Sequence, residues 1–151
     1  MKFMRIGEIG AERPVVQAED GSWRDISGVV PEIGPETLAD LDARLAGVAR
    51  DGLPVVDPDG QRHGAPIARP RNIWCIGLNY SDHAAEAGMP VPKEPILFTK
   101  PGSALGGPTD PIPLPKGSVR LDWEVELGVV IGKPALNIAE AQAMDHVFGY
   151  V

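Results

Sequence analysis

Proline and glycine interrupt this chain so often that a long helix has nowhere to run: sixteen prolines and eighteen glycines are spread through 151 residues. Proline removes a backbone donor and clashes inside a helix, and glycine weakens helix and strand interiors alike. Short strands joined by tight turns accommodate such punctuation, whereas a helical bundle does not. The length fits one ordinary domain, or a small domain with part of another. A chain of this size buries roughly 68–70% of its unfolded surface, so it needs no covalent staple.

Between the breaks, the residue pattern gives the elements. Phe3 to Ile6, Pro14 to Gln17 and Ser22 to Ile26 read as short strands, with Glu19-Asp20-Gly21 as a hairpin turn. The period then changes. Leu38, Leu41, Leu45 and Val48 fall on one helical stripe that begins at Pro35 and ends near Arg50, before Gly52 and Pro54. Residues 57–70 are rich in proline, glycine and polar groups and read as a linker. Beyond it, Asn72 to Ile76 is expected to be a buried strand and residues 81–87 a short helix closed by Gly88. Pro95 to Thr99 reads as a strand leading to Lys100, and Leu121 to Ile131 is the most sharply patterned strand of all. Asn137 with Glu140 three residues on resembles a capping box for a helix through about Asp145. The closing Val147-Phe148-Gly149-Tyr150-Val151 is a new apolar strand. The expected division is a small lobe at 1–66 and a functional region at 67–151.

Charge and composition exclude several functions. A net charge of −7 argues against nucleic acid, whose phosphates call for a basic face. It would also repel a dicarboxylate substrate unless a bound cation or local lysines reversed the field, although its plainest effect is solubility. The single cysteine, Cys75, rules out a disulfide framework and a cysteine-only zinc site. Lys2 and Arg5 lead into Gly7 and Glu8 rather than an apolar stretch, unlike a signal peptide. No apolar run approaches a membrane span. A reducing cytoplasm is the expected setting.

Three groupings bear chemistry. In Leu121-Asp122-Trp123-Glu124-Val125-Glu126-Leu127, a strand would put Trp123, Val125 and Leu127 on a buried face and Asp122, Glu124 and Glu126 on the other. Adjacent carboxylates on one face repel, so the face needs water or a hard cation such as Mg²⁺, Mn²⁺ or Ca²⁺. Spacing alone favours solvent, since acidic alternation is common on exposed strand faces. His83 and Glu86, three apart on the short helix, share a side, and a carboxylate beside an imidazole raises its basicity. An ordinary exposed pair is the commoner reading of that spacing. Lys100 stands where a strand gives way to a loop, a usual place to hold a substrate carboxylate and equally a place for a surface lysine.

Order and combination change the weighing. Cys-Ile-Gly-Leu-Asn-Tyr-Ser-Asp-His-Ala-Ala-Glu at 75–86, Pro-Ile-Leu-Phe-Thr-Lys at 95–100 and Asp-Trp-Glu-Val-Glu-Leu-Gly-Val-Val-Ile-Gly at 122–132 resemble the fumarylacetoacetate hydrolase family over about residues 70 to 151. The likeness runs to bacterial 2,4-diketo-3-deoxy sugar acid hydrolases and ureidoglycolate lyases. It implies an α+β, mainly β fold: a mixed β-roll, incomplete in this chain, behind a small N-terminal α+β lobe. Glu124 and Glu126 become two of three carboxylate ligands of Mg²⁺ or Mn²⁺, with Ca²⁺ a further candidate. His83 and Glu86 become a catalytic lid dyad and Lys100 a substrate contact. The family's third ligand is an aspartate in an Asn-Asp-Val motif just after the Gly-Tyr-Val stretch, where this sequence stops. Asp82 or Asp122 could stand in for it.

The expected activity is metal-dependent hydrolysis of a carbon–carbon bond in a 2,4-diketo acid, with a small keto-acid or dicarboxylate substrate, a homodimeric assembly and neither nucleic acid nor membrane as partner. Ureidoglycolate lyase, oxaloacetate decarboxylase and diene-dioate isomerase chemistries share the same motifs. A different class of outcome is a truncated or split chain with no catalysis of its own, which the abrupt apolar end favours.

Overall fold

The computed structural model describes all residues, Met1–Val151. It is mostly β with few helices, and it divides into two compact units. One comprises Met1–Ala68 with Gly106–Val151, the other Arg69–Leu105.

The first unit is built on a four-stranded antiparallel sheet of β1 (Phe3–Ile6), β2 (Arg13–Gln17), β3 (Trp23–Asp25) and β4 (Val55–Val56), in that spatial order. Phe3 faces Val16 and Ile6 faces Arg13 across the first pair. Gly21 closes the β2–β3 hairpin at φ +84°, with the Asp20 carboxylate accepting the Ser22 N–H. Alternation along β2 sends its two valines to opposite faces, and both are fully buried. Val16 joins Ile26, Val30, Ile33, Leu38, Leu41 and Leu45 in the larger core. Val15 joins Ile6 and Val56 in the smaller one. The sheet is thus covered on both sides, and the lobe has a core of its own.

The helical stripe is real but the helix is short. Leu38, Leu41 and Leu45 are buried as its period requires, yet α1 spans only Leu41–Leu45. Thr37 ties the preceding turn instead: its hydroxyl donates to Glu32 O and accepts from Gly34 N–H. Gly47, at φ +81°, turns the chain away well before Arg50.

Residues expected to form a free linker are packed onto β1. Gly7 N–H donates to Arg62 O, Gly64 N–H donates to Arg5 O, and Ala65 and Ala68 are buried. In the same unit β7 (Val129–Ile131) pairs antiparallel with β8 (Val147–Tyr150), with a bulge at Val130–Ile131. Gly128 and Val151 extend the ladder by reciprocal backbone bonds of 2.8 and 2.9 Å. Val130 and Phe148 lean on the larger core, and the Phe148 ring lies 5.9 Å from that of Phe3. Tyr150 remains exposed.

Two expectations need correction here. Of the strand read over Leu121 to Ile131, only Val129–Ile131 forms; Trp123, Val125 and Leu127 are exposed rather than buried. Alternation becomes burial only when a neighbouring strand and a covering layer exist, and no strand of this chain pairs with 121–127. The Glu140–His146 segment is a 3-10 helix rather than an α-helix. Its first turn is held by Gln142, whose side chain accepts Ala139 N–H, while Asn137 takes a left-handed conformation at φ +51°.

The second unit is a hairpin of β5 (Ile73–Gly77) and β6 (Ile96–Lys100), with α2 (Ser81–Glu86) in the connection. Trp74, Ile76, Leu97 and Phe98 are exposed, so β5 is not the buried strand its composition implies. A two-stranded sheet has no second layer of its own to cover it.

Candidate active site: a carboxylate segment and a helical dyad

The carboxylate segment hangs from the first unit through a partly buried ionic network. Arg5, only 6% exposed, donates to both oxygens of Glu32 at 2.6 and 2.8 Å, to Ala65 O at 2.9 Å and to Glu12 at 3.3 Å. A buried guanidinium is tolerable only when its donors are met in this way. Glu12 also accepts from Arg62 at 2.8 Å, and Arg62 grips Asp110 through two bonds of 2.7 and 2.6 Å. Burial alone would push the Glu12 carboxyl up; the Arg62 hydrogen bond, backbone donors and the Arg5 charge outweigh it and hold it below its ordinary value. The Asp110 carboxyl is likewise lowered, first by Arg62 and then by the Gly107 N–H. The hydrogen bonds Arg62 donates to Asp110 and Glu12 in turn raise its own value. The loop opening at Gly106 is thereby pinned to the lobe, and Gly107 passes so close to His63 O that no Cβ would fit. Sequence reading missed this clamp, because its central pair lies 48 residues apart and neither partner stands in a motif.

From that loop the chain runs to Glu124 and Glu126, both exposed and outside any strand. Asp122 accepts the Trp123 N–H at 2.9 Å. The second unit carries the dyad. Ala84, fully buried, anchors α2, which closes with Gly88 N–H donating to Ala85 O, Met89 N–H donating to Ala84 O, and Gly88 at φ +65°. That double bond around a left-handed glycine is the Schellman closure that Gly88 foretold. His83 and Glu86 are exposed on this helix, and no hydrogen bond joins their side chains. Asp82 accepts the His83 backbone N–H at 2.9 Å. Lys100 ends β6 opposite Ile73 and is exposed.

Each pair is therefore held within one element or segment, and the two pairs belong to different compact units. No group of three or more His, Cys, Asp or Glu residues that could hold a metal ion is gathered. The donor chemistry of Glu124 and Glu126 suits a hard divalent cation; their number falls short of a full site.

The comparison with known proteins decides the family. Residues 72–151 match the model of the fumarylacetoacetate (FAA) hydrolase C-terminal domain. The chain belongs to the fumarylacetoacetate hydrolase family. It is 50% identical over 151 residues to a "Putative hydrolase" of Burkholderia multivorans, covering 99% of this chain and 53% of that one. Among solved structures, a "putative HpcE protein" from Mycobacterium smegmatis superposes with a TM-score of 0.72 at 32% identity, covering 97% of this chain and 52% of the other. Maleylpyruvate hydrolase from Sphingobium sp. SYK-6, in complex with manganese(II) and pyruvate, gives 0.70 at 27% identity, covering 97% and 56%. The chain spans about half the length of the curated relatives it matches. No helix is long and apolar enough to cross a membrane.

Proposed function

We propose that this chain supplies the carboxylate segment and the lid dyad of a metal-dependent hydrolase that cleaves a carbon–carbon bond in a 2,4-diketo acid of the acylpyruvate type. The observation that carries it is the conjunction, in a chain of this family, of Glu124-x-Glu126 with an exposed His83–Glu86 pair on α2. The likeness to a hydrolase holding manganese(II) and pyruvate supports the substrate class. Glu124 and Glu126 would hold Mg²⁺ or Mn²⁺. When bound, that ion would act as a Lewis acid on the developing enolate. In the assembled site Glu86 would turn to His83 and orient it, and the imidazole would take a proton from water as the hydroxide adds to the distal carbonyl carbon. The bond to the adjacent carbon then breaks, its electrons pass to the enolate, and protonation releases a pyruvate-type keto acid beside a carboxylic acid. Lys100 would hold a substrate carboxylate. In this reading residues 1–66 are an accessory lobe and 67–151 the leading part of the catalytic domain of a homodimeric cytoplasmic enzyme.

Two measurements test it. In the full-length enzyme, calorimetry should show Mn²⁺ binding that the Glu124→Gln/Glu126→Gln double variant loses; unchanged binding would refute the metal assignment. In the active enzyme, His83→Ala should lower kcat by about 10²–10⁴-fold with metal affinity nearly intact. Undiminished turnover would remove His83 from the mechanism.

A further inference from the structure

Three aspartates in this chain stand directly before a glycine: Asp20-Gly21, Asp51-Gly52 and Asp59-Gly60. At such a pair the peptide nitrogen of the glycine can attack the side-chain carboxyl carbon of the aspartate. Glycine favours the attack because no Cβ shields its nitrogen and its backbone turns freely. The asparagines are poorer substrates for the equivalent reaction, since Asn72, Asn79 and Asn137 precede the bulky Ile73, Tyr80 and Ile138. Whether an Asp-Gly pair reacts then depends on two freedoms, that of the carboxyl and that of the glycine N–H.

The fold withholds both at the first pair and one at the second. The Asp20 carboxylate accepts from Ser22 N–H at 2.9 Å, from the Ser22 hydroxyl and from Arg24 Nη2 at 2.9 Å, while Gly21 N–H donates to Ala18 O at 3.1 Å. Those bonds, the Ser22 ones foremost, hold the carboxyl below its ordinary value, in the ionised form that resists nucleophilic attack. Asp51 sits in the 3-10 turn Arg50–Gly52, where Gly52 N–H donates to Ala49 O at 3.0 Å and Asp51 O accepts from Arg24. Asp59 and Gly60 differ. Both are exposed at the tip of a turn closed by Gln61 N–H donating to Pro58 O at 3.2 Å. Gly60 lies at φ +73° in open space, and its N–H donates to no protein acceptor. The Asp59 carboxyl has neither a hydrogen bond nor an ion pair.

We propose that Asp59 is the site of spontaneous isoaspartate formation in this protein, and that modification there loosens the Arg62 clamp. The Gly60 nitrogen bonds to Asp59 Cγ, the carboxyl hydroxyl and the amide proton leave as water, and a succinimide ring results. Water then opens the ring at the main-chain carbonyl. The chain now runs on through Cβ and Cγ, one methylene longer, and carries a free α-carboxylate; no oxidant or other reactant takes part. Just beyond the turn, Arg62 O accepts Gly7 N–H at 2.9 Å, the Arg62 guanidinium holds Glu12 and Asp110, and His63 bridges to Ile6. An extra methylene in the turn displaces that register.

The test is incubation of the purified full-length protein at neutral pH, then isoaspartyl-specific enzymatic methylation with labelled S-adenosylmethionine and peptide mapping. Asp59 should gain label roughly threefold or more faster than Asp51 and roughly tenfold or more faster than Asp20, because each hydrogen bond that must open first slows the reaction about two- to tenfold. In urea-unfolded protein the three rates should converge. Label at Asp20 or Asp51 that matches Asp59 in the folded protein would overturn the assignment. So would a preference for Asp59 that survives unfolding, since the fold would not then be its cause. Asp59→Glu, which would have to close a larger ring, should abolish label at that position and leave the thermal transition of fresh protein in place. Aged wild type should exchange the Gly7 and Gly64 amide hydrogens faster than fresh protein, and aged Asp59→Glu should not. Unchanged exchange in aged wild type, or an equal rise in the variant, would overturn the link to the clamp.

Discussion

Single residues decide where the loop that leads to the carboxylates is fixed. Gly107 lies against the His63 carbonyl, where a Cβ cannot be placed without moving one backbone or the other. Gly107→Ala should therefore destabilise the chain by about 1–3 kcal/mol, the usual cost of overpacking, seen as a lower melting temperature. Its neighbour in function is the Arg62–Asp110 clamp, and its signature is pH dependence. Glu12 and Asp110 are held below their ordinary values in the folded state. Stabilisation of that kind is present above the unfolded-state pKa and is lost as pH falls through the folded one. Arg62→Met should thus lower the melting temperature at neutral pH, and its gap from wild type should narrow below about pH 4. A gap that widens on acidification would mean the clamp is not carried by ionised carboxylates.

At the scale of elements, burial rather than propensity sets what forms. α1 has five residues, far too few to be stable alone, and persists because Leu41 and Leu45 reach the core. Leu41→Ala should cost about 2–5 kcal/mol by leaving a cavity, whereas Leu136→Ala, at an 85% exposed position, should stay within about 0.5 kcal/mol of wild type. Equal effects at the two positions would contradict this assignment of the core. The same rule separates what was legible in the sequence from what was not. The strands at Phe3–Ile6 and Arg13–Gln17, the Gly21 turn, the apolar stripe on Leu38, Leu41 and Leu45, and the Gly88 helix end were readable, because each depends on local chemistry. The Leu121 to Ile131 strand was over-read, since its alternation states how the segment would pack and not whether a partner is at hand. The candidate site shows the same split. Glu124, Glu126, His83, Glu86 and Lys100 can be named from motif, while the Arg5–Glu12–Arg62–Asp110 network that anchors the loop needs three-dimensional proximity across long separations.

The whole molecule combines a lobe closed around its own cores with a stretch, 121–151, in which most of the large apolar side chains are exposed. The lobe has buried cores on both faces of its sheet and should unfold cooperatively. The band of exposed apolar side chains from Trp123 to Ile131, with Tyr150, alternates with carboxylates along 122–126 and is the kind of surface that favours association. Light scattering on the purified 151-residue chain should accordingly show polydisperse association that grows with concentration, while the melting temperature of the lobe stays constant. A charge placed on the band interrupts apolar contact without touching either core, so Val125→Lys should reduce the scattering and leave the transition where it was. Because no group of three His, Cys, Asp or Glu residues that could hold a metal ion is gathered in the chain by itself, pyruvate release from an acylpyruvate should be negligible in the same preparation. A monodisperse, fully active preparation would mean that the band is covered and the site completed within these 151 residues, against the arrangement described.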